Sequence, residues 1–421
     1  MTSKAVGRDA EWLYMDTLRP PVYVCLRRQR ASDGTYPRFE LDGRLDKAEW
    51  AHVPWSDPFV DIEGTERKPC EYPLTRMKMM YDDEQLYIGA ELIETKIWGT
   101  IREKNATMYH ENDFEVFLNP DGSRHNYYEL ELNCLNTIWE LVLNRPYKDG
   151  YSIQNPHNLE TTRTAVYVDG VTNSPLDECR KWCVEVAISL RELVQFDRLR
   201  RRIVHPGDVW RVNFSRVQYQ LTTVLDDETQ QLKFEKVPDT REDNIVWAPT
   251  GVIDIHRPEK WGFVIFSSAR DEHEGIVELN QVMEAYLCEQ IAMERVLDTV
   301  YYDQRAYFKE NESYAESLGE LYGSAEAFPW VDIIDEFKLQ LPDIKRRRKP
   351  EADRMLTPHA RHGDGDAPRR RSYVAKLDPD DGEAEQEAKK RTPCVEYTVS
   401  IKSETQEWNM EHDARLWKSV H

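Results

Sequence analysis

The chain has 421 residues, 40% hydrophobic and 11% aromatic, which is enough for one large or two medium domains with a sizeable core. Its formal net charge of -21 argues against nucleic acid or an anionic membrane as partner, because phosphates are repelled, and favours neutral ligands, cations or basic proteins. Seven cysteines, with Cys179 and Cys183 the one close pair, give neither a disulfide framework nor a complete zinc set.

Residues 1–20 read as an N-terminal tail without the apolar stretch that a signal peptide needs. No apolar run approaches the ~18 residues of a membrane span. The expectation is a cytoplasmic protein with reduced thiols. From Val22 to Ser267 short alternating runs separated by turn clusters predict strands, the clearest being Arg76–Tyr81, Leu86–Ile93, Asp113–Leu118, Tyr127–Leu132, Thr137–Leu143, Thr164–Val168, Trp182–Ile188, Trp210–Val217 and Trp261–Phe266. Many short strands with little helix between them predict a mainly β protein, an antiparallel, jelly-roll-like β-sandwich over 21–268.

The period then changes. Ile276, Leu279, Met283, Leu287, Val296, Leu297, Val300 and Tyr307 fall at helical spacing and predict one long helix, or two with a break, within a helical extension over 269–344. Its apolar face over 276–308 is expected to dock on the sandwich, to self-associate or to meet a protein partner. A short helix is expected at Ser317–Leu321. Residues 345–392 are rich in charge, Pro and Gly and are expected to be disordered. Their first residues, Lys345–Pro350, resemble a nuclear-import signal or simply a solvated linker. In the tail over 393–421, Val395–Ile401 and Trp408–Glu411 are expected to pair.

One hairpin carries chemistry. Pairing apolar with apolar sets Phe114 near Leu132 and Val116 near Leu130. The opposite face then brings Asp113, Glu115 and Phe117 against Asn133, Glu131 and Glu129, with Glu115 and Glu131 about 4.5–5.5 Å apart at Cβ. Facing carboxylates require compensation by an Arg, a cation, a shared proton or a ligand that donates from hydroxyls. Arg211 and Asn213 on Trp210–Ser215, and Glu185 on Trp182–Val186, are expected to complete one polar face able to hold vicinal hydroxyls.

At this point the sequence resembles the family 9 carbohydrate-binding modules of the wider DOMON-like group. The stretches that carry the resemblance, in order, are Asp42–Trp50, Met80–Ile88, Glu111–Leu118, Tyr128–Asn133, Gly207–Asn213, Trp247–Thr250 and Pro258–Gly262. The resemblance implies a non-catalytic carbohydrate-binding protein in which two aromatic rings clamp a sugar and polar side chains bind its hydroxyls. Tyr109 stands where the first ring would be, and Glu115 matches a hydroxyl-binding carboxylate. The second ring falls near Ile255 or His256, neither of them Trp, and Glu131 stands in place of an Arg. Trp98 and Trp247 offer substitute rings, although core packing is the commoner role. The site set is therefore Tyr109, Glu115, Glu131, Arg211 and Asn213, with a glycan or oligosaccharide as partner and roles in carbohydrate catabolism in view. No cofactor is expected beyond structural calcium, which family members hold and for which no EF-hand-like spacing names ligands here.

Rival readings remain open: a glycoside hydrolase using Glu115 and Glu131 as a close pair, or an accessory to polysaccharide degradation; a scaffold with a degenerate sugar site; and haem binding through Met77, Met79, Met80, Met108 or His110, against which methionine on strands is normally core filler.

Overall fold

A computed structural model of the chain describes residues 9–150, 154–156, 159–196, 203–324, 327–329, 343–346, 397–402 and 406–420. The period-two alternation becomes two β-layers. One layer runs, in spatial order, Gln154–Pro156, Ile138–Leu143, Tyr127–Asn133, Asp113–Asn119, Val209–Gln218 and Gly262–Phe266. Asp243–Val246 pairs with the far end of Val209–Gln218 and in turn with Val60–Asp61. The other layer holds Thr75–Tyr81, Gln85–Ile93, Lys181–Ser189 and Arg163–Asp169.

The strand Val22–Arg27 joins the layers. Val22–Cys25 pair parallel with Phe263–Phe266, and Leu26 and Arg27 pair parallel with Met80 and Tyr81. The other pairings within the two layers are antiparallel. Between the layers Phe114, Val116, Leu118, Leu130, Leu132 and Phe214 meet Met77, Met79, Ile88, Val184 and Val186. Met80 and Met108 are sealed as well, so the methionines that sequence offers as haem ligands fill the interior.

The Asp42–Trp50 stretch is held on the outside of the second layer by Glu185. Its carboxylate accepts from the Asp42 and Gly43 amides (2.9 and 2.8 Å), Lys47 Nζ (2.7 Å) and Trp50 Nε1 (2.7 Å). Gly43 has φ +80°, and a Cβ there would lie 2.2 Å from the Tyr167 backbone nitrogen, so no other residue fits. Glu185 thus belongs to a structural clasp on the far layer and not to the polar face on which the sequence sets it.

The helical region is one rod: Glu272–Val282, a π turn at Met283–Leu287, and Cys288–Asn311. Asp271 starts it by accepting from the Glu274 amide (3.0 Å), and Glu312 ends it at φ 55°. The π turn keeps the rod continuous where the sequence leaves a break open. Gly275 lets the rod approach Val24 and Leu26, where a Cβ would come within 2.9 Å of Leu26. Further on, Leu287 packs on Phe263 and Ile265.

Beyond Met293 the rod forms a second core with Trp12 and Met15 of the helix Ala10–Met15, and with Tyr397, Val399, Ile401, Trp408, Met410 and Leu416. Those last residues lie in a four-stranded sheet of Asp343–Arg346, Tyr397–Lys402, Gln406–Glu411 and Leu416–Val420. The expected late hairpin is its centre, with Ile401 opposite Trp408. Lys345 and Arg346 belong to a strand, whereas the rest of the charged stretch, 347–392, lies outside the described residues. Leu318–Tyr322 forms the short helix, with Ser317 as its cap. The helix face offered to a partner is therefore largely covered by the chain itself, while Ile276 and Val277 stay about half exposed (49% and 47%).

Two buried ion pairs tie the rod to the sandwich: Arg211 with Glu294, and Arg124 with Asp298. Removing one partner of a buried pair strands the other charge away from water. Glu294→Ala is expected to cost about 3–5 kcal/mol, read as a lowered midpoint in chemical denaturation of the full chain; an unchanged midpoint would refute the lock.

Candidate functional site

The acidic hairpin forms in the register that its apolar face demands. Phe114 pairs with Leu132, Val116 with Leu130, and Glu115 with Glu131. On the next strand Trp139 lies opposite Glu131 and Leu141 opposite Glu129, and on the other side Ser215 lies opposite Glu115. Because alternate residues share a face, Asp113, Glu115, Glu129 and Glu131 converge on one side of the layer. All four are buried. Glu115, Glu129 and Glu131 line a cavity of about 400 Å³.

No Lys or Arg is among the residues that line this cavity; its charged residues are Glu115, Glu129, Glu131, Glu242 and Asp254. Asp113 Oδ2, Glu129 Oε2 and Glu131 Oε2 have no hydrogen-bond partner. Burial raises Glu115 to about 7, and burial together with the Glu115 charge raises Glu129 to about 8. Burial and neighbouring carboxylates push Asp113 and Glu131 well up. Of the four compensations open to facing carboxylates, the Arg is absent here, which leaves a shared proton, a cation or a hydroxyl-bearing ligand.

The walls are aromatic and apolar. Tyr109, Trp139 and Tyr147 line the cavity with Ile253, Ile255 and His256. Tyr109 is 47% exposed and its ring centroid lies 6.2 Å from that of Trp139. It sits on the short turn Met108–His110, which is fixed from two sides. Tyr219 donates to the Tyr109 carbonyl (2.9 Å). Glu111, just beyond, accepts from the Thr100 amide (2.7 Å) and Asn133 Nδ2 (2.6 Å). On the far wall His256 shares a hydrogen bond with the Tyr127 hydroxyl (2.8 Å) and meets Tyr147 edge-on at 4.5 Å. Burial pulls His256 down to about 4, so the ring is neutral at physiological pH.

The structure brings Tyr109, Glu115 and Glu131 together and leaves Arg211 and Asn213 apart. Arg211 shares their face but lies four residues along its strand from Ser215, about 13 Å away at strand rise. It donates to the Trp261 carbonyl (2.6 Å), pairs with Glu294 and lies over Phe263 beneath the helical rod. Asn213 is sealed, exchanging hydrogen bonds with the Ala248 backbone (3.0 Å each). Trp247 is core, packed on Phe214, and Trp98 is absent from the cavity lining. The rings that sequence reasoning missed are Trp139 and Tyr147. Trp139 was findable, since extending the same register by one strand sets it opposite Glu131. Tyr147 comes from a turn, and no periodic signal marks it.

Residues 41–199 match the family model described as carbohydrate family 9 binding domain-like. Among solved structures, a Bacteroides uniformis protein of proposed carbohydrate-binding function is 13% identical over 59% of this chain and 100% of its own, with a TM-score of 0.41. A family 9 carbohydrate-binding module from Caldicellulosiruptor kristjanssonii in complex with cellotriose is 14% identical over 59% of this chain and 95% of its own (TM-score 0.36). The glucose complex of such a module from that organism is 15% identical over 60% and 98% (TM-score 0.35). No curated protein matches the chain.

The carboxylate cluster has a consequence for stability. Folded-state values raised above the unfolded carboxylate value of ~4.3 mean that the folded chain binds more protons. That contribution is fully present below the unfolded value and is lost as pH rises through the folded values of about 7 and about 8. His256 acts in the opposite sense, its contribution being lost as pH falls from the unfolded value of ~6.5 towards about 4. Above pH ~6.5 only the carboxylates matter among these groups. Chelator-treated protein is therefore expected to lose stability between about pH 6.5 and 8.5, and Glu129→Gln to flatten that fall, both measured by urea denaturation at fixed ionic strength. A stability that rises with pH over this window would contradict the assignment.

Proposed function

We propose that the cavity between Tyr109, Trp139 and Tyr147 binds a carbohydrate, a glycan or an oligosaccharide, without catalysing its cleavage. The observation that carries the reading is the combination of exposed rings with buried carboxylates that the chain itself leaves without counter-charge. A sugar offers apolar C–H faces to rings and a fringe of hydroxyl donors to carboxylate oxygens, so it satisfies both halves at once. The family match over 41–199 supports the same reading.

The geometry argues against the hydrolase alternative. A glycosidase sets its two carboxyl groups on either side of the scissile bond. Glu115 and Glu131 lie side by side on one sheet face, so both meet a ligand from below. The six described cysteines are unpaired, which supports a reducing compartment such as the cytoplasm. No helix among the described residues is long and apolar enough to cross a membrane.

A glycan-array screen of the full chain tests the proposal. At least one glycan is expected to be retained, with Tyr109→Ala and Trp139→Ala each weakening it by roughly tenfold, the worth of one ring contact. No reducing ends should be released during incubation. Retention of glycans unchanged in both ring variants, or release of sugar that Glu115→Gln abolishes, would overturn it.

A further inference from the structure

Asp113, Glu115 and Glu131 each bring one carboxylate oxygen to within 4.8 Å of the others. A calcium-type cation takes oxygens at about 2.3–2.6 Å, so two oxygens on opposite sides of one ion stand about 4.6–5.2 Å apart. The three oxygens therefore fit a single coordination sphere. The donors are all hard oxygens, with neither thiolate nor imidazole among them, which selects calcium- or magnesium-like ions over zinc or copper.

A second observation, outside those three carboxylates, points the same way. Ser215 lies directly across from Glu115 on the neighbouring strand and on the same face. It is 1% exposed, and its hydroxyl finds no partner beyond the Glu115 carboxylate that it faces, while Glu129 Oε2, equally buried next to the three carboxylates and not one of them, has none. A buried polar atom left unpaired costs free energy, and a neutral hydroxyl oxygen beside three carboxylates is a normal member of a calcium shell. Elsewhere in the fold several buried carboxylates have cationic partners, as Glu294 and Asp298 do in Arg211 and Arg124 and Glu185 does in Lys47. This cluster has none among the described residues that line its cavity.

We propose that Asp113, Glu115 and Glu131 hold a divalent cation of the calcium type at the floor of the cavity, with the Ser215 hydroxyl beside it, and that the ion offers its open positions to vicinal hydroxyls of the bound sugar. The cation neutralises the facing carboxylates that the strand pairing forces together. The bridging role rests on the proposed carbohydrate function, whereas the ion site does not.

The full chain is stripped with chelator and titrated with calcium chloride by calorimetry, with terbium as a luminescent probe sensitised by Trp139 in the cavity wall. One saturable site is expected, together with a calcium-dependent rise in Tm, because an ion that binds only the folded state stabilises it. Asp113→Asn and Glu131→Gln should each weaken calcium at least tenfold and abolish the Tm rise. In chelator both variants should melt at or above the wild-type temperature, since each removes a repelling charge, and this separates ion loss from misfolding. Absence of calcium binding by the wild type, or calcium affinity unchanged in both variants, overturns the site. Glycan binding is then compared in calcium and in chelator. Loss in chelator supports bridging, and equal binding in both overturns bridging while the carbohydrate function stands. Saturable calcium binding with no glycan captured in either buffer removes the bridging role and the carbohydrate function together and leaves the ion site in place.

Discussion

Everything at the candidate site follows from one electrostatic constraint: a hairpin register that forces carboxylates to face each other away from water. Glu115 and Glu131 cannot avoid one another, because a slip of one residue would turn Phe114, Val116, Leu130 and Leu132 out of the core. The apolar face fixes the register, and the register fixes the acidic face. The chain spends its Arg residues elsewhere, on the rod and on the Glu94 carboxylate that Arg216 holds. What remains is a surface whose charge is completed only from outside the chain or by protons.

The same sheet face serves two purposes along its length. Towards Asn119, Leu143 and Arg211 it is covered: Phe117, Tyr127, Leu141 and Leu143 pack with Trp261, and the helical rod closes over Phe263 and Ile265. Towards Asp113 and Trp139 it stays open, walled by the Tyr109 turn and the 253–256 loop. The rod thus does more than add mass. By capping one end of the face it seals Arg211 into a structural pair and confines any ligand to the other end. The N-terminal helix and the C-terminal sheet clamp the rod in turn, through the stack of Trp12 on Tyr302 (4.9 Å) and the apolar contacts of Tyr397 and Trp408.

The Asp42–Trp50 stretch has a physical role that can be read from its contacts. Asp42, Gly43, Lys47 and Trp50 all point their donors at one buried carboxylate, Glu185, on the layer away from the cavity. Residues that make a stretch recognisable in sequence need not line a cavity. Here they close the outer face of the second layer, and the rings that line the cavity come from a strand and two turns with no such signature.

Period-two alternation was enough to define the strands, the hairpin register and the shared face of Glu115 and Glu131, because each of these is settled by local geometry and by the cost of exposing apolar side chains, whereas Tyr109 was placed beside them only by the resemblance to a known family. Helical spacing was likewise enough for the rod, and it left the π turn undecided because a single extra residue barely disturbs a 3.6-residue period. Tertiary structure alone decided that Arg211 and Asn213 lie apart from the cavity, that Glu185 sits on the other layer, that Val22–Arg27 bridges the layers in parallel, and that Trp139 and Tyr147 line the cavity beside Tyr109. The physical reason is the same in each case. Alternation tells which face a side chain takes, whereas its place along the strand, and what covers it there, depend on contacts between residues far apart in the chain.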